Sequence, residues 1–285
     1  MQFCKDTRIL IVGLGLMGGS CAAALTDAGY EVGAVDPNGR SIAYAKEAGI
    51  IRHGNTEVQP EYLARFDLVL FALYPHVLLQ WVQDNQLYLR EGALLMDVTG
   101  VKGSVVYPVQ AMLRPGLEFV GAHPMAGREV SGVENAKRDL FHGANFIVTP
   151  TERNTSTAVS VCMEVGRLLG CTTLSQLSPE KHDEMIAFLS QLTHCIAIAL
   201  MDCRETEHMA RYTGDSFRDL TRIARINDAM WSELFAMNKE QLLRQMDLFS
   251  AAFADLRQAI AADDTAKVRD MMRLSTCRRA YYEKI

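Results

Sequence analysis

An apolar run that stops at three spaced glycines constrains this chain more than any other feature. From Arg8 it reads R-I-L-I-V-G-L-G-L-M-G-G-S. A β-branched segment is followed by Gly13-x-Gly15-x-x-Gly18 and then by an Ala-rich stretch to Gly29 with the character of a helix. In that context the glycines permit a sharp turn, close approach of the backbone to a pyrophosphate, and tight packing of helix on strand. The helix N-terminus then presents unpaired N–H groups to the phosphates. The next apolar run, Tyr30 to Val35, ends in Asp36, eighteen residues after the last glycine. A carboxylate there accepts hydrogen bonds from a ribose 2′-hydroxyl and repels a 2′-phosphate, so it selects NAD over NADP. The cofactor-binding candidates are therefore Gly13, Gly15, Leu16, Met17, Gly18 and Asp36. Tyr74, just beyond the fourth predicted strand, joins them as either a packing or a contact residue, and Arg40 reads as a solvated helix residue.

The same region imitates a secretory signal, because Ile9 to Leu25 carries no charge and follows Lys5 and Arg8. Its four glycines, Gly13, Gly15, Gly18 and Gly19, would each weaken a helix by about 1 kcal/mol, which favours the nucleotide reading. With 285 residues the chain has the length of two domains at about 100–200 residues each. Further strand candidates are Asp67 to Leu73, Ala93 to Val98, Glu118 to Ala122 and Ala144 to Val148, separated by polar or helical segments. Such spacing predicts a mainly parallel sheet covered on both faces. The expectation is an α/β Rossmann-type dinucleotide-binding domain over residues 1–177 and an all-helical domain over 178–285, which starts with Ser178 as N-cap and Pro179 at the first helical position.

The clearest helix of the second half runs from about Asn238 to Ile260. Leu242, Met246, Phe249, Phe253, Leu256 and Ile260 form one apolar stripe on it, either a core face of the helical domain or part of a subunit interface. The net charge of −5 provides no field for nucleic acid or an anionic membrane, so neither partner is expected. Seven scattered cysteines without a C-x-x-C pair indicate a reduced, cytoplasmic setting.

A dinucleotide site leaves the substrate open. The discriminating segment is Gly121-Ala-His-Pro-Met-Ala-Gly-Arg-Glu129, followed by Ser131-Gly132 and by Leu140-Phe-His-Gly-Ala-Asn-Phe-Ile-Val-Thr-Pro150. With Ser190-Gln-Leu-Thr-His194, the run from Gly214 to Ala224 and Met230-Trp231, it resembles the prephenate and arogenate dehydrogenase family along nearly the whole chain. The resemblance implies an NAD-dependent oxidative decarboxylation of prephenate, or of arogenate, in tyrosine biosynthesis. It implies no metal, and a homodimer through the helical domain.

On this resemblance His123 is the general base that takes the substrate's 4-hydroxyl proton. Its placement after a buried strand, on a loop at the sheet's C-terminal edge, and an ordinary pKa of about 6.5 suit that task. Arg222 holds the ring carboxylate, and Arg218 and Arg225 are read as a solvated basic face. His194, Glu129 and Trp231 are further substrate-site candidates, the first also open to cofactor contact or a core role and the last to a core role. His53, His76, His142, His182 and His208 are left as structural.

Three departures from the family pattern stand out. Many members have Asp-Val-Gly-Ser-Val-Lys where this chain has Asp97-Val-Thr-Gly-Val-Lys102, so the hydroxyl expected to bond the catalytic histidine is missing at Gly100 and Thr99 is the adjacent substitute. Gln191 stands where a histidine is common, and Arg128 adds a positive charge ahead of Glu129. The rival readings are a β-hydroxyacid dehydrogenase or imine reductase, a non-catalytic NAD-binding regulator and a structural helical module.

Overall fold

The computed structural model describes residues 3–205 and 207–282. Among these, eight strands form one sheet: β1 Arg8–Val12, β2 Glu31–Val35, β3 His53–Asn55, β4 Leu68–Phe71, β5 Leu94–Asp97, β6 Glu118–Pro124, β7 Asn145–Thr149 and β8 Thr173–Gln176. Their order is β3-β2-β1-β4-β5-β6-β7-β8, and every neighbouring pair is parallel except β6 with β7. Helices α1 Leu16–Asp27, α2 Gly39–Glu47, α3 Pro60–Leu63, α4 Pro75–Asn85, α5 Gly103–Met112 and α6 Ser156–Leu168 alternate with the strands. After β8 only helices follow: α7 Pro179–Ile186, α8 Leu192–Asp202, α9 Asp215–Thr221, α10 Asp228–Met237, α11 Lys239–Ala261 and α12 Thr265–Arg279. The fold is a Rossmann-type α/β half followed by a helical half.

Strand alternation sets the two faces of the sheet. Ile9 and Ile11 of β1 enter one buried cluster with Cys21 and Leu25 of α1, whereas Leu10 and Val12 enter the other with Leu78 and Val105. Both faces are thus covered, as a parallel sheet requires. The uncharged run that imitates a signal is divided between β1, a turn and α1, all largely buried. Two short strands, β3 and β8, were not anticipated from sequence. Three or four residues give too little alternation to register as a pattern.

β6 runs further than the sequence suggests. Its parallel pairing with β5 stops at Val120, but antiparallel β7 takes over from Gly121 to Pro124, so His123 lies within the strand opposite Ile147 and not on a loop after it. Paired backbone on one side therefore holds this histidine.

The chain divides into two compact units, residues 1–238 and 239–285. In the first, α7 is bonded to the start of α5 through the Asp183 side chain, and α10 adds Leu234 to one of the sheet's buried clusters. In the second, α11 and α12 pack on each other, and Met246, Phe249, Phe253 and Ile260 of the expected stripe remain exposed.

At the centre of the first unit Asp97 and Lys102 form an ion pair with Nζ···Oδ2 at 2.6 Å and both side chains fully buried. Burial pushes the lysine's pKa down and the carboxylate opposes that shift. Removing one partner of such a pair leaves an uncompensated interior charge. Asp97→Asn, nearly isosteric, should lower stability by about 3–5 kcal/mol, seen as an earlier urea midpoint. The double variant Asp97→Asn/Lys102→Met should recover much of that loss, since neither charge then remains.

Candidate active site

The glycine turn lies where the strand order reverses, between β1 and β4, the position at which open α/β sheets bind ligands. Gly13 has φ +95°, and a Cβ there would stand 2.6 Å from the Ala72 carbonyl oxygen. A Cβ on Gly18 would stand 1.9 Å from the carbonyl oxygen of Gly13, so only glycine lets α1 approach the turn. Gly15, by contrast, faces open space, and the N-terminus of α1 has no side-chain cap. This combination of a crowded turn and an open, uncapped helix end fits a pyrophosphate.

Asp36 follows β2 and braces the turn. Its Oδ2 accepts from Leu14 N at 2.6 Å and its Oδ1 from Asn38 N at 2.8 Å. The carboxylate remains partly exposed, with lone pairs left for a ribose diol. Leu16 and Met17 form the first turn of α1, the former buried and the latter half-buried. Tyr74 precedes α4, and its hydroxyl accepts from Asn227 Nδ2 at 3.1 Å. Beside it, the Glu233 carboxylate accepts from His76 N at 2.7 Å and pairs with His76 Nδ1 at 2.8 Å, joining α10 to the start of α4.

β6 is parallel to β5, so His123 near its C-terminal end shares the sheet edge that carries the glycine turn. Its Nδ1 lies 2.9 Å from Nε2 of His182, whose Nδ1 lies 2.8 Å from Oδ1 of Asp183. The Asp183 carboxylate also accepts from Lys102 N and Gly103 N, each at 2.8 Å, and so caps the N-terminus of α5. His182 is fully buried, and among the described residues nothing bonds His123 Nε2. Burial, then His182 and Lys102, push the His123 pKa well below 6.5. Burial lowers His182 as well, against the opposing effect of Asp183. Both rings are neutral near pH 7.

Asp97 connects this row to the sheet. Its Oδ1 accepts from Ala122 N, the residue before His123, at 3.2 Å, and its Oδ2 accepts from Thr99 N, Thr99 Oγ1 and Lys102 Nζ. The Thr99 oxygen, whose single proton goes to the Asp97 carboxylate, also lies 2.9 Å from the Val101 carbonyl oxygen and receives Lys102 Nζ at 3.2 Å. It is thus directed into the buried ion pair, and no hydrogen bond joins it to His123. At Gly100 a Cβ would sit 3.5 Å from the Leu234 side chain, an ordinary contact.

α7 and α8 form one continuous helix interrupted by a π turn over Ala187–Gln191. At about 100° per residue a regular helix would set His194 roughly 120° away from His182, but the turn absorbs one residue and brings the two to within about 20°. Gln191 is buried, donating from Nε2 to Leu234 O at 3.0 Å and accepting from Asn238 Nδ2 at 2.8 Å. Asn238 also donates to Asp183 O at 2.9 Å. His194 Nδ1 donates to Ser190 O at 2.9 Å, and its ring stacks on Trp231 with centroids 3.7 Å apart. Burial lowers its pKa too. This helix is also long and apolar enough to cross a membrane by length and composition.

Arg222 lies just past α9 in a short 3₁₀ turn and is largely exposed. One guanidinium nitrogen donates to Glu129 Oε1 at 2.7 Å, leaving further donors without a described partner. Sequence reasoning left His182, Asp183 and Asn238 out of the site. The one available signal was a His-Asp pair in the first turns of the helix opened by Ser178-Pro179.

The nucleotide-binding domain of the prephenate dehydrogenase family matches residues 21–173, and that family's dimerization domain matches residues 178–274. The chain is 29% identical over 275 residues to prephenate dehydrogenase of Bacillus subtilis, covering 93% of this chain and 72% of that one. It is 29% identical over 265 residues to cyclohexadienyl dehydrogenase of Zymomonas mobilis, covering 90% and 89%. The structure of prephenate dehydrogenase from A. aeolicus in complex with hydroxyphenyl propionate and NAD+ superposes with a TM-score of 0.89 at 29% identity, over 99% of this chain and 100% of that one.

Asp36→Ala should narrow the preference for NADH over NADPH by about tenfold or more, equivalent to about 1.4 kcal/mol, in fluorescence titrations of the two nucleotides.

Proposed function

The chain belongs to the prephenate dehydrogenase family, and we propose from this that it catalyses the NAD-dependent oxidative decarboxylation of prephenate to 4-hydroxyphenylpyruvate. The observation that carries the chemistry is His123: a neutral imidazole within paired backbone, on the sheet edge of the nucleotide turn, with one ring nitrogen unengaged. Bound NAD+ supplies the hydride acceptor. The protein does the rest through charge and position.

His123 takes the 4-hydroxyl proton at its free nitrogen as the ring's C4 becomes a carbonyl, and electron flow toward that carbonyl expels the ring carboxylate as carbon dioxide. A pKa held below 6.5 keeps the imidazole unprotonated and ready to accept. Arg222 contributes the guanidinium donors that Glu129 does not use to a substrate carboxylate. His194 and Trp231, stacked together, offer an aromatic wall with an imidazole edge. Glu129 balances the charge of Arg222 until a substrate carboxylate arrives. Thr99 supports the site through the Asp97–Lys102 pair.

Arogenate, with an amino acid side chain in place of the keto acid, is the second reading. The cyclohexadienyl dehydrogenase relative favours keeping it in the test. The working form is a cytoplasmic homodimer built through the helical domain. Free cysteines among the described residues and the exposed Phe249, Phe253 and Ile260 of α11 support this.

The test is the initial rate of NADH formation at 340 nm with prephenate and, separately, with arogenate. His123→Asn should lower kcat by roughly 10² to 10⁴ with little change in KM, the range for loss of a general base. Arg222→Ala should chiefly raise KM, by about 10- to 100-fold, in keeping with a charge-assisted hydrogen bond of about 1.5–3 kcal/mol. The acid limb of kcat/KM should lie below pH 6.5, since the lowered pKa keeps His123 unprotonated as pH falls through the ordinary histidine value.

A further inference from the structure

We propose that His182, held by Asp183, is a positioning residue that fixes the tautomer and ring plane of His123 so that the lone pair stands on Nε2. The inference rests on the dehydrogenase reading and assigns roles to two residues beyond the base itself.

The argument follows the hydrogen bonds inward from α5. Lys102 N and Gly103 N can only donate, so the Asp183 oxygens that receive them are acceptors. Asp183 Oδ1 is also 2.8 Å from His182 Nδ1, which must therefore carry the proton. A neutral His182 then has its lone pair on Nε2, and the 2.9 Å contact requires His123 Nδ1 to donate to it. His123 in turn is left with its lone pair on Nε2, the nitrogen that lacks a protein partner among the described residues.

The other protonation patterns are disfavoured. A protonated His182 would face Lys102 within the same buried cluster, and burial already lowers its pKa. The charged and titratable groups around the pair are Asp183 on α7, Lys102 and Asp97 at the β5–α5 junction, and His123 itself on β6. Asp183 has little freedom to turn away, because its carboxylate caps α5 and its carbonyl accepts from Asn238.

His182→Phe removes the acceptor while keeping an aromatic ring. His182→Gln can restore both links, its Oε1 accepting from His123 and its amide donating to Asp183. With the intact protein, His182→Phe should lower kcat roughly 10- to 100-fold, while KM for the substrate and the Kd for NADH stay within about twofold. Its acid limb should stay below the ordinary histidine value, because burial, the largest cause of the lowered His123 pKa, is kept and the acceptor that would favour the imidazolium at Nδ1 is gone. His182→Gln should recover most of kcat. Unchanged kcat in His182→Phe, or equal impairment in both variants, overturns the proposal.

Should His182→Phe fail to fold, nitrogen-15 NMR of selectively labelled histidines in the wild-type protein decides directly. A proton on Nδ1 of both His123 and His182 supports the relay, and a proton on His123 Nε2 overturns it. Wild-type protein silent with both substrates would sink the dehydrogenase reading, whereas the NMR result would still decide the tautomer chain.

Discussion

The buried pair of Asp97 and Lys102 is the interaction on which both halves of the site depend. Through Oδ1, Asp97 holds Ala122 N and so fixes β6 beyond the point where its parallel pairing with β5 has ended. Through Lys102 it fixes the segment that starts α5, whose first N–H groups are received by Asp183. One ion pair thereby sets the position of His123 from the sheet and that of His182 from the helices. Its stabilising value is modest for two desolvated charges, but loss of either partner would be costly. Its main consequence is geometric, since a buried lysine and carboxylate bonded to each other and to Thr99 and Ala122 admit few alternative arrangements.

The helical side meets the sheet through a similarly constrained device. The π turn at Ala187–Gln191 rotates the second part of the long helix so that His182 and His194 come to one side of it. Gln191 holds Leu234 and Asn238, and Asn238 returns to Asp183, so the turn is tied to α10 and to the residue that orients His182. Gln191 is an amide that can donate and accept at once, which suits a buried link between two helices. The long apolar character of this helix, which would also serve a membrane span, coexists with side chains that bond the sheet half and α10.

The legible parts of the sequence are those whose meaning is local. The glycine turn, Asp36 and the Ser178-Pro179 helix start each declare themselves within a few residues, and the structure places them at a strand end, at the following strand's end and at a helix cap. His123 stood out through its flanking motif. His182 did not, because its significance comes from a ring 59 positions earlier in the chain and from a cap on a third element. An isolated histidine on a helix face carries no mark of that contact. The π turn was equally hidden, since an apolar helix reads the same with or without one extra residue. The extension of β6 depended on an antiparallel partner, a long-range property that a single apolar run cannot reveal.

The missing hydroxyl at Gly100 takes on a different meaning once these constraints are combined. A Cβ at that position would make only an ordinary contact with the Leu234 side chain. Thr99 is committed to the ion pair and cannot turn outward without leaving Asp97 and Lys102 short of a partner in the core. The ring of His123 is nevertheless restrained from the opposite side, at Nδ1, by a histidine that is fully buried and anchored by a carboxylate. With tautomer and plane fixed there, a hydroxyl next to Nε2 is no longer needed to orient the base. What its absence changes is the contact made to the reacting group itself, where a glycine leaves room for water or for more of the substrate. On the proposed reading, His123 is positioned as a base from the Nδ1 side alone.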